Sequence, residues 1–427
     1  MRWFDGLSAL AISALATLLV AQPAVRALEG PALDGLFALR HALYGQRHLR
    51  QASPTVIIGV DRETQLRPPF DRLPFELWTP QVAEVMAAVR EGGAAVMAQY
   101  HGFTASGEAA APGYDTVYTG FLREAGQASQ LVLGRRAPGP DRLSPLPAHI
   151  AAVGGYRHVR LAELQPDSDG VVRRIALYHE LPTPSGITRL EPSLPLELAA
   201  RALNERPELV AGSDIRLADR SVPGSAANAM ILNPDSGNGG IPVYSFADLH
   251  ACAGQGERDF FEERFRGKVV LLGRVEAPAG RHLTSARYLD AGSSGALSPG
   301  RCQLPAMRSL EALEGPPGTA DVVVAATAVN NLLRGEAINS LVAPFGIVVA
   351  ALLSLAVAVA ALRIRIWIVL PAVVLFAVLW IYAAAAMLDR EAWLMPLVQP
   401  LLAVGVSFLL ALLYRFAPRR RRRVAPG

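Results

Sequence analysis

Cysteine is nearly absent from this chain of 427 residues, which has only Cys252 and Cys302. Two thiols cannot build a disulfide framework, and their spacing matches no zinc motif. If both lie in an oxidising compartment a single disulfide is open to them. The alternative, two unrelated small residues, is slightly favoured by sequence alone. Also missing is any Asp, Glu, Lys, Arg or His inside three long apolar stretches, residues 340–362, 366–386 and 394–414. Pumps and transporters keep an ionisable group at membrane depth, so these stretches look like anchors and packing surfaces. No serine or cysteine sits in a nucleophile-elbow sequence, which argues against a hydrolase. No internal repeat is visible.

Apolar residues are abundant, at 51% of the chain, and they concentrate at its two ends. Residues 6–25 form a further uncharged run of about one bilayer length. It is longer than a signal-peptide core, and no small-x-small site ends it before Pro23, so an uncleaved anchor is expected. Trp367, Trp393 and Tyr414 lie near span ends, where aromatic rings favour the headgroup boundary. Nine arginines flank the apolar stretches (Arg2, Arg363, Arg365, Arg415 and the run Arg419 to Arg423), opposed there by Asp5 alone. The net charge of +4 is therefore a membrane-flanking charge and does not point to nucleic acid. Arginine-bearing loops stay in the cytoplasm, whereas Asp389-Arg390-Glu391 is net acidic. A four-pass inner-membrane chain is expected, with both termini cytoplasmic and the large loop periplasmic. Its parts are an N-terminal span (1–27), an exported domain (28–339), three spans (340–415) and a basic tail (416–427) touching anionic lipid.

The exported part alternates strand and helix signals. Pro54 to Asp61 reads as a buried strand ending in a polar residue, and Thr79-Pro80 as the N-cap and first residue of a helix. Val82, Val85, Met86 and Val89 give that helix its stripe, and Gly92-Gly93 end it. Further strands are expected at 94–98, 130–134, 171–179, 229–232 and 268–273. Helices are expected at 33–43, 116–126, 193–204 and 245–251, with a last apolar stripe from Val322 to Leu333. The fold class is α/β, a largely parallel or mixed sheet with helices on both faces, plus four transmembrane helices. The Gly-, Ser- and Pro-rich stretch 280–318 reads either as a long flexible insertion or as a segment that Cys302 could pin to Cys252.

Several segments in order resemble the CHASE2 sensor domain of bacteria: VIIGVD at 56–61, DSDGVVRR at 167–174, YSFADL at 244–249, FRGKVVLLG at 265–273 and AVNNLLRGEAI at 328–338. The family layout of one N-terminal span, an exported domain and about three closing spans is similar too. The resemblance implies a ligand-sensing domain outside the cytoplasm. Family members usually carry an acidic residue where this chain has Gln99-Tyr100-His101. Many also continue into a kinase or cyclase, and no such output enzyme is expected in this chain.

The chemistry-bearing candidates are few. Asp167, Asp169 and Gly170 resemble part of a calcium loop, but the third carboxylate and distal glutamate are missing, so a plain turn is expected. Gly237-Asn238-Gly239-Gly240 resembles a phosphate cradle without the Lys-Ser/Thr that should follow. His101 and Asp61 could form a base and its orienting partner, against the reading of His101 as an ordinary loop residue. Asp61 and Arg72 are the candidate ligand-binding pair, because both follow the first strand. No catalytic residue, metal or cofactor is expected. The chain reads as a non-enzymatic sensor or accessory subunit acting through a separate partner protein, with homo-oligomerisation open. The alternative is a structural subunit of a larger envelope complex.

Overall fold

The computed structural model describes residues 2–45, 52–136, 145–182, 188–209, 215–223, 228–234, 240–276, 280–289, 301–303, 318–340 and 343–417. The arginine run 419–423, residues 237–239 of the glycine-rich segment and most of the 280–318 stretch lie outside the described residues. The chain divides into two compact units, residues 46–338 and residues 1–45 with 339–427.

The larger unit is built on a six-stranded sheet whose spatial order is Val243–Ser245, Thr55–Val60, Val269–Arg274, Val96–Gln99, Leu131–Arg135, Val159–Leu161. Every neighbouring pair is parallel. Parallel strands need covered crossovers, which is why these strands read as continuous apolar runs. Their period-2 alternation divides the side chains between two cores. Val56, Ile58, Met97, Leu131, Val270 and Leu272 face the helices Thr79–Glu91, Thr116–Gln127, Pro147–Val153, Phe246–Gly254 and Arg258–Phe265. Ile57, Val96, Ala98, Val132, Val269 and Leu271 face the opposite way, onto the helices Leu194–Ala202 and Asp321–Arg334. Each such Ile, Leu or Val contributes roughly 1.5–3 kcal/mol by leaving water.

The apolar stripe 82/85/86/89 is buried as its spacing requires. Thr79, however, is the first helical residue and not the cap, and its hydroxyl donates to Asp115 Oδ1 at 2.7 Å. The helix Asp321–Arg334 is buried on two sides. Val322, Ala325, Ala326 and Val329 meet the sheet, while Val324, Ala328 and Leu332 meet a third core under short outer strands. Gly273 admits this helix, because a Cβ there would stand 2.9 Å from Val322. Gly335 ends it in the left-handed conformation at φ 68°.

The expected single strand at 171–179 is three pieces. Val171–Val172 pairs with Leu283 and Thr284, Arg174–Ala176 with Ala229–Ile231, and Tyr178–Pro182 with Thr188–Pro192. The breaks fall at Leu177 and at Arg173, whose side chain is 1% exposed and meets Asp167 and Asp169. Arg173 O still accepts from Leu232 N at 2.9 Å, so the backbone passes there from one partner strand to the next.

In the smaller unit, Phe345–Arg363, Ile366–Glu391 and Val398–Phe416 are each long and apolar enough to cross a membrane. Gly6–Val20 and Pro23–Tyr44 form a pair bent by 62°, which makes a fourth if the pair is one span. The bend falls where Gln22, extended at ψ 146°, precedes Pro23. Small and polar side chains join the helices: Ser13 Oγ donates to Ala351 O at 3.1 Å, and Ser354 and Ser407 share a hydrogen bond. At one end, Arg415 donates to Ala361 O and Ile364 O at 2.9 and 2.7 Å, bringing it to the 363–365 turn. Asn339–Ser340 pairs with Trp393–Leu394.

Candidate functional site

In parallel sheets ligands gather at the carboxyl ends of strands, where adjacent connections leave to opposite faces. Here Thr55–Val60 and Val96–Gln99 lead to helices on one face. Val269–Arg274, lying between them, leads to the helix Asp321–Arg334 on the other. The residues at this edge are therefore the place to look for a site.

Asp61 ends the first strand and is buried, but it is an N-cap. Its Oδ1 accepts from Thr64 N, Thr64 Oγ1 and Ser245 Oγ at 2.8, 2.7 and 3.0 Å. Burial raises its pKa and the Thr64 and Ser245 hydrogen bonds oppose that rise. Arg72 does not join it: that side chain is 83% exposed, 3.7 Å from Asp71. The short helix Arg62–Gln65 and the turns after it carry Arg72 outward. Nearness in sequence to the first strand is thus no guide to this arginine. Glu276 lies near Asp61 and Arg62, and burial raises its pKa.

The second strand runs out through Gln99, Tyr100 and His101. Gln99 accepts from the Tyr118 hydroxyl and donates to His101 O at 3.1 Å, so it sets the turn that places His101. An ionised acid at position 99 would bring a charge into a site 3% exposed and could accept from Tyr118 but not donate to His101 O, whereas the neutral glutamine amide does both. Tyr100 donates to Ala162 O at 3.0 Å. His101 stands edge-on to Tyr100, with the charges of Arg136, Asp321 and Arg274 acting on it. It is not paired with Asp61, so the base-and-orienter arrangement does not form. Asp321, 3% exposed, opens the last helix of the unit and is held through Oδ2 by Arg136 at 2.8 Å, while His282 Nε2 lies 3.0 Å from Oδ1 and pairs with it when protonated. Among the described residues no group of three or more His, Cys, Asp or Glu could hold a metal ion.

Burial, with Arg136 adding to it, pushes the His101 pKa down to about 4. The folded state therefore binds fewer protons than the unfolded chain between pH 6.5 and 4. Its contribution to stability is complete above pH 6.5 and is lost as pH falls to 4. The gap corresponds to roughly 3 kcal/mol. His158, held near 4 by burial and by Arg201 and Arg157, acts in the same window. Thermal midpoints of the solubilised full chain should fall steeply from pH 7 to 4.5, and less steeply for His101→Asn. Parallel curves for the two proteins would refute this.

The segments that resemble a sensor family have structural roles. Asp167 and Asp169 bind Arg173. Asn331 Oδ1 accepts from Asn233 N at 2.9 Å, and its Nδ2 donates to Asn233 O at 3.0 Å. The family profile of the CHASE2 domain matches residues 10–362. The chain belongs to the CHASE2 family. CHASE2 is a sensory domain family, which fits a ligand-sensing role for the α/β unit. Comparison with curated proteins finds no match, and neither does comparison with solved structures. Sequence reasoning missed Arg136, Arg274 and Asp321 at this CHASE2 strand edge. For Arg274 and Arg136 there was a local signal, a charge closing or following an apolar strand, and for Asp321 its place at the start of an apolar helical stripe.

Proposed function

We propose that this CHASE2 chain is a membrane-anchored sensor whose α/β domain lies outside the cytoplasm. It binds a small ligand at the strand edge and acts through a separate protein. The observation that carries the reading is the placement of the helix Asp321–Arg334. Its first residue is held by Arg136 at the strand edge, with His282 beside it. Its last turn is tied through Asn331 to Asn233, whose Nδ2 donates to Glu336 O at 3.1 Å. Ile338 bridges Ile231 just beyond, and residues 339–342 then lead into the apolar helix Ala343–Arg363. A ligand that favours one arrangement of Asp321 would shift the helix and the chain leaving it. The shift can be no larger than the ligand's difference in affinity for the two arrangements.

Export is supported by the Cys252–Cys302 bond and by the clustering of Arg363, Arg365 and Arg415 at one end of the helices. A reporter fused after Gly427 should be active only in the cytoplasm. Purification in mild detergent, with identification of companions, tests the function. A companion whose association changes in Asp321→Asn supports the sensor. A stoichiometric complex indifferent to that change would support the second class, a structural subunit of an envelope assembly.

A further inference from the structure

Strand register pairs Leu272 with Gln99 and Val60 with Arg274. Two residues beyond the first pair, Arg274 and His101 lie at or just past adjacent central strand ends, and the charge of Arg274 acts on His101. Arg274 differs from the other half-buried or buried arginines of the sheet. Arg135 pairs with Glu191, Arg136 with Asp321 and Arg160 with Glu197. Among the described residues no carboxylate lies within ion-pair reach of Arg274. Its guanidinium rests over the Phe75 ring at 4.9 Å, and its Nε is buried without a hydrogen-bond partner. His101 Nδ1 beside it is likewise buried and unpartnered. Asp321 Oδ1 and Glu276 Oε2 are also buried there without a hydrogen-bond partner. Buried polar groups are nearly always satisfied, so this edge, with donors and acceptors both left over, calls for a partner from outside, and the donors among them suit an anion.

We propose that Arg274, with His101 beside it, binds an oxyanion, the carboxylate or phosphoryl group of a small soluble molecule. The arginine fork matches two oxygens of such a group. Phe75 beneath keeps the fork from swinging away. A neutral imidazole donates one N–H without adding a second charge that would repel arginine. The anion would also sit near Arg136, and so compete with Asp321 for it. The inference rests on reading this edge as the ligand site and adds the chemical class of the ligand.

The test is titration of the solubilised full chain with inorganic phosphate, sulfate, acetate and succinate at constant ionic strength, read by thermal midpoint and calorimetry. At least one should give saturable stabilisation, and the arms separate phosphoryl-like from carboxylate ligands. Arg274→Gln should weaken that binding at least tenfold, and Arg72→Gln should leave it unchanged. If Arg274→Gln does not fold, Arg274→Lys and His101→Asn serve, each expected to weaken binding severalfold. No saturable effect from any of the four anions, or equal binding by the Arg274 variants, overturns the proposal. Companion capture is measured separately. A companion that still responds to Asp321→Asn without any anion effect removes only the ligand class, whereas anion binding without a companion removes only the sensor coupling.

Discussion

Replacing Arg173 with methionine should destabilise the α/β unit by about 2–4 kcal/mol, although methionine can occupy much of the same volume. Arg173 is 1% exposed, and its guanidinium donates to Asp167 Oδ2 at 3.1 Å and to Asp169 Oδ1 and Oδ2 at 2.9 and 2.8 Å. The change takes the shared cation from both carboxylates: Asp167 keeps Arg174 at 3.0 Å, while Asp169 loses both of its contacts with the guanidinium. They are 22% and 38% exposed, so water recovers part of the loss and the cost falls short of a fully buried pair. Arg173→Lys should retain some stability but lose the two-oxygen contact with Asp169. The acid dependence gives a second readout. Arg173 holds the Asp169 pKa down to about 2, below its unfolded value, so this contribution is complete above pH 4 and is lost as pH falls toward 2. Arg173→Met should flatten that part of the stability curve. A thermal midpoint within a degree or two of the parent would show that the clamp contributes little.

Breaking the Cys252–Cys302 bond is the second large effect. The cysteines are 50 residues apart in sequence, with Cα atoms 5.9 Å apart. Chain entropy for a loop of that length corresponds to about 4 kcal/mol. The measured loss should be smaller, about 2–4 kcal/mol, because the strap has other attachments. Asp248 accepts from Cys302 N and Gln303 N at 3.0 and 3.1 Å, and Arg301 pairs with Glu63 at 2.5 Å. These contacts hold residues 301–303 against the Phe246–Gly254 helix after reduction. Dithiothreitol should therefore lower the thermal midpoint of the parent and leave that of the Cys252→Ser, Cys302→Ser double variant unchanged. A parent protein indifferent to reductant would show that the bond does not form.

Much of the architecture was legible because its signals are local. Apolar runs flanked by glycine or polar turns marked four strands of the main sheet, and the 82/85/86/89 spacing marked a helix. The strands Val159–Leu161 and Val243–Ser245 and the helices Pro147–Val153 and Arg258–Phe265 were missed. Each strand is too short to show a period, the first helix has seven residues, and the second is mostly charged, with only Phe261 and Phe265 buried. At the site, Asp61 was legible as a strand-end acid, but its capping role depends on Thr64 and on Ser245, far away in sequence. Where the Arg72 side chain lies, exposed beside Asp71, was not legible because a short helix and turns intervene after the strand. Arg274 was passed over because nothing in the sequence reveals that it has no acidic partner.

By itself the sequence determined the apolar helices, the arginines that flank them, the alternation of strand and helix, and the family. Each follows from residues within one turn, one strand or one bilayer length of each other. Only the tertiary structure decided that Val269–Arg274 lies between Thr55–Val60 and Val96–Gln99, that the two cysteines meet, and which arginines find carboxylates. Those outcomes join residues tens to hundreds of positions apart, and ion pairs and strand order depend on distance in space.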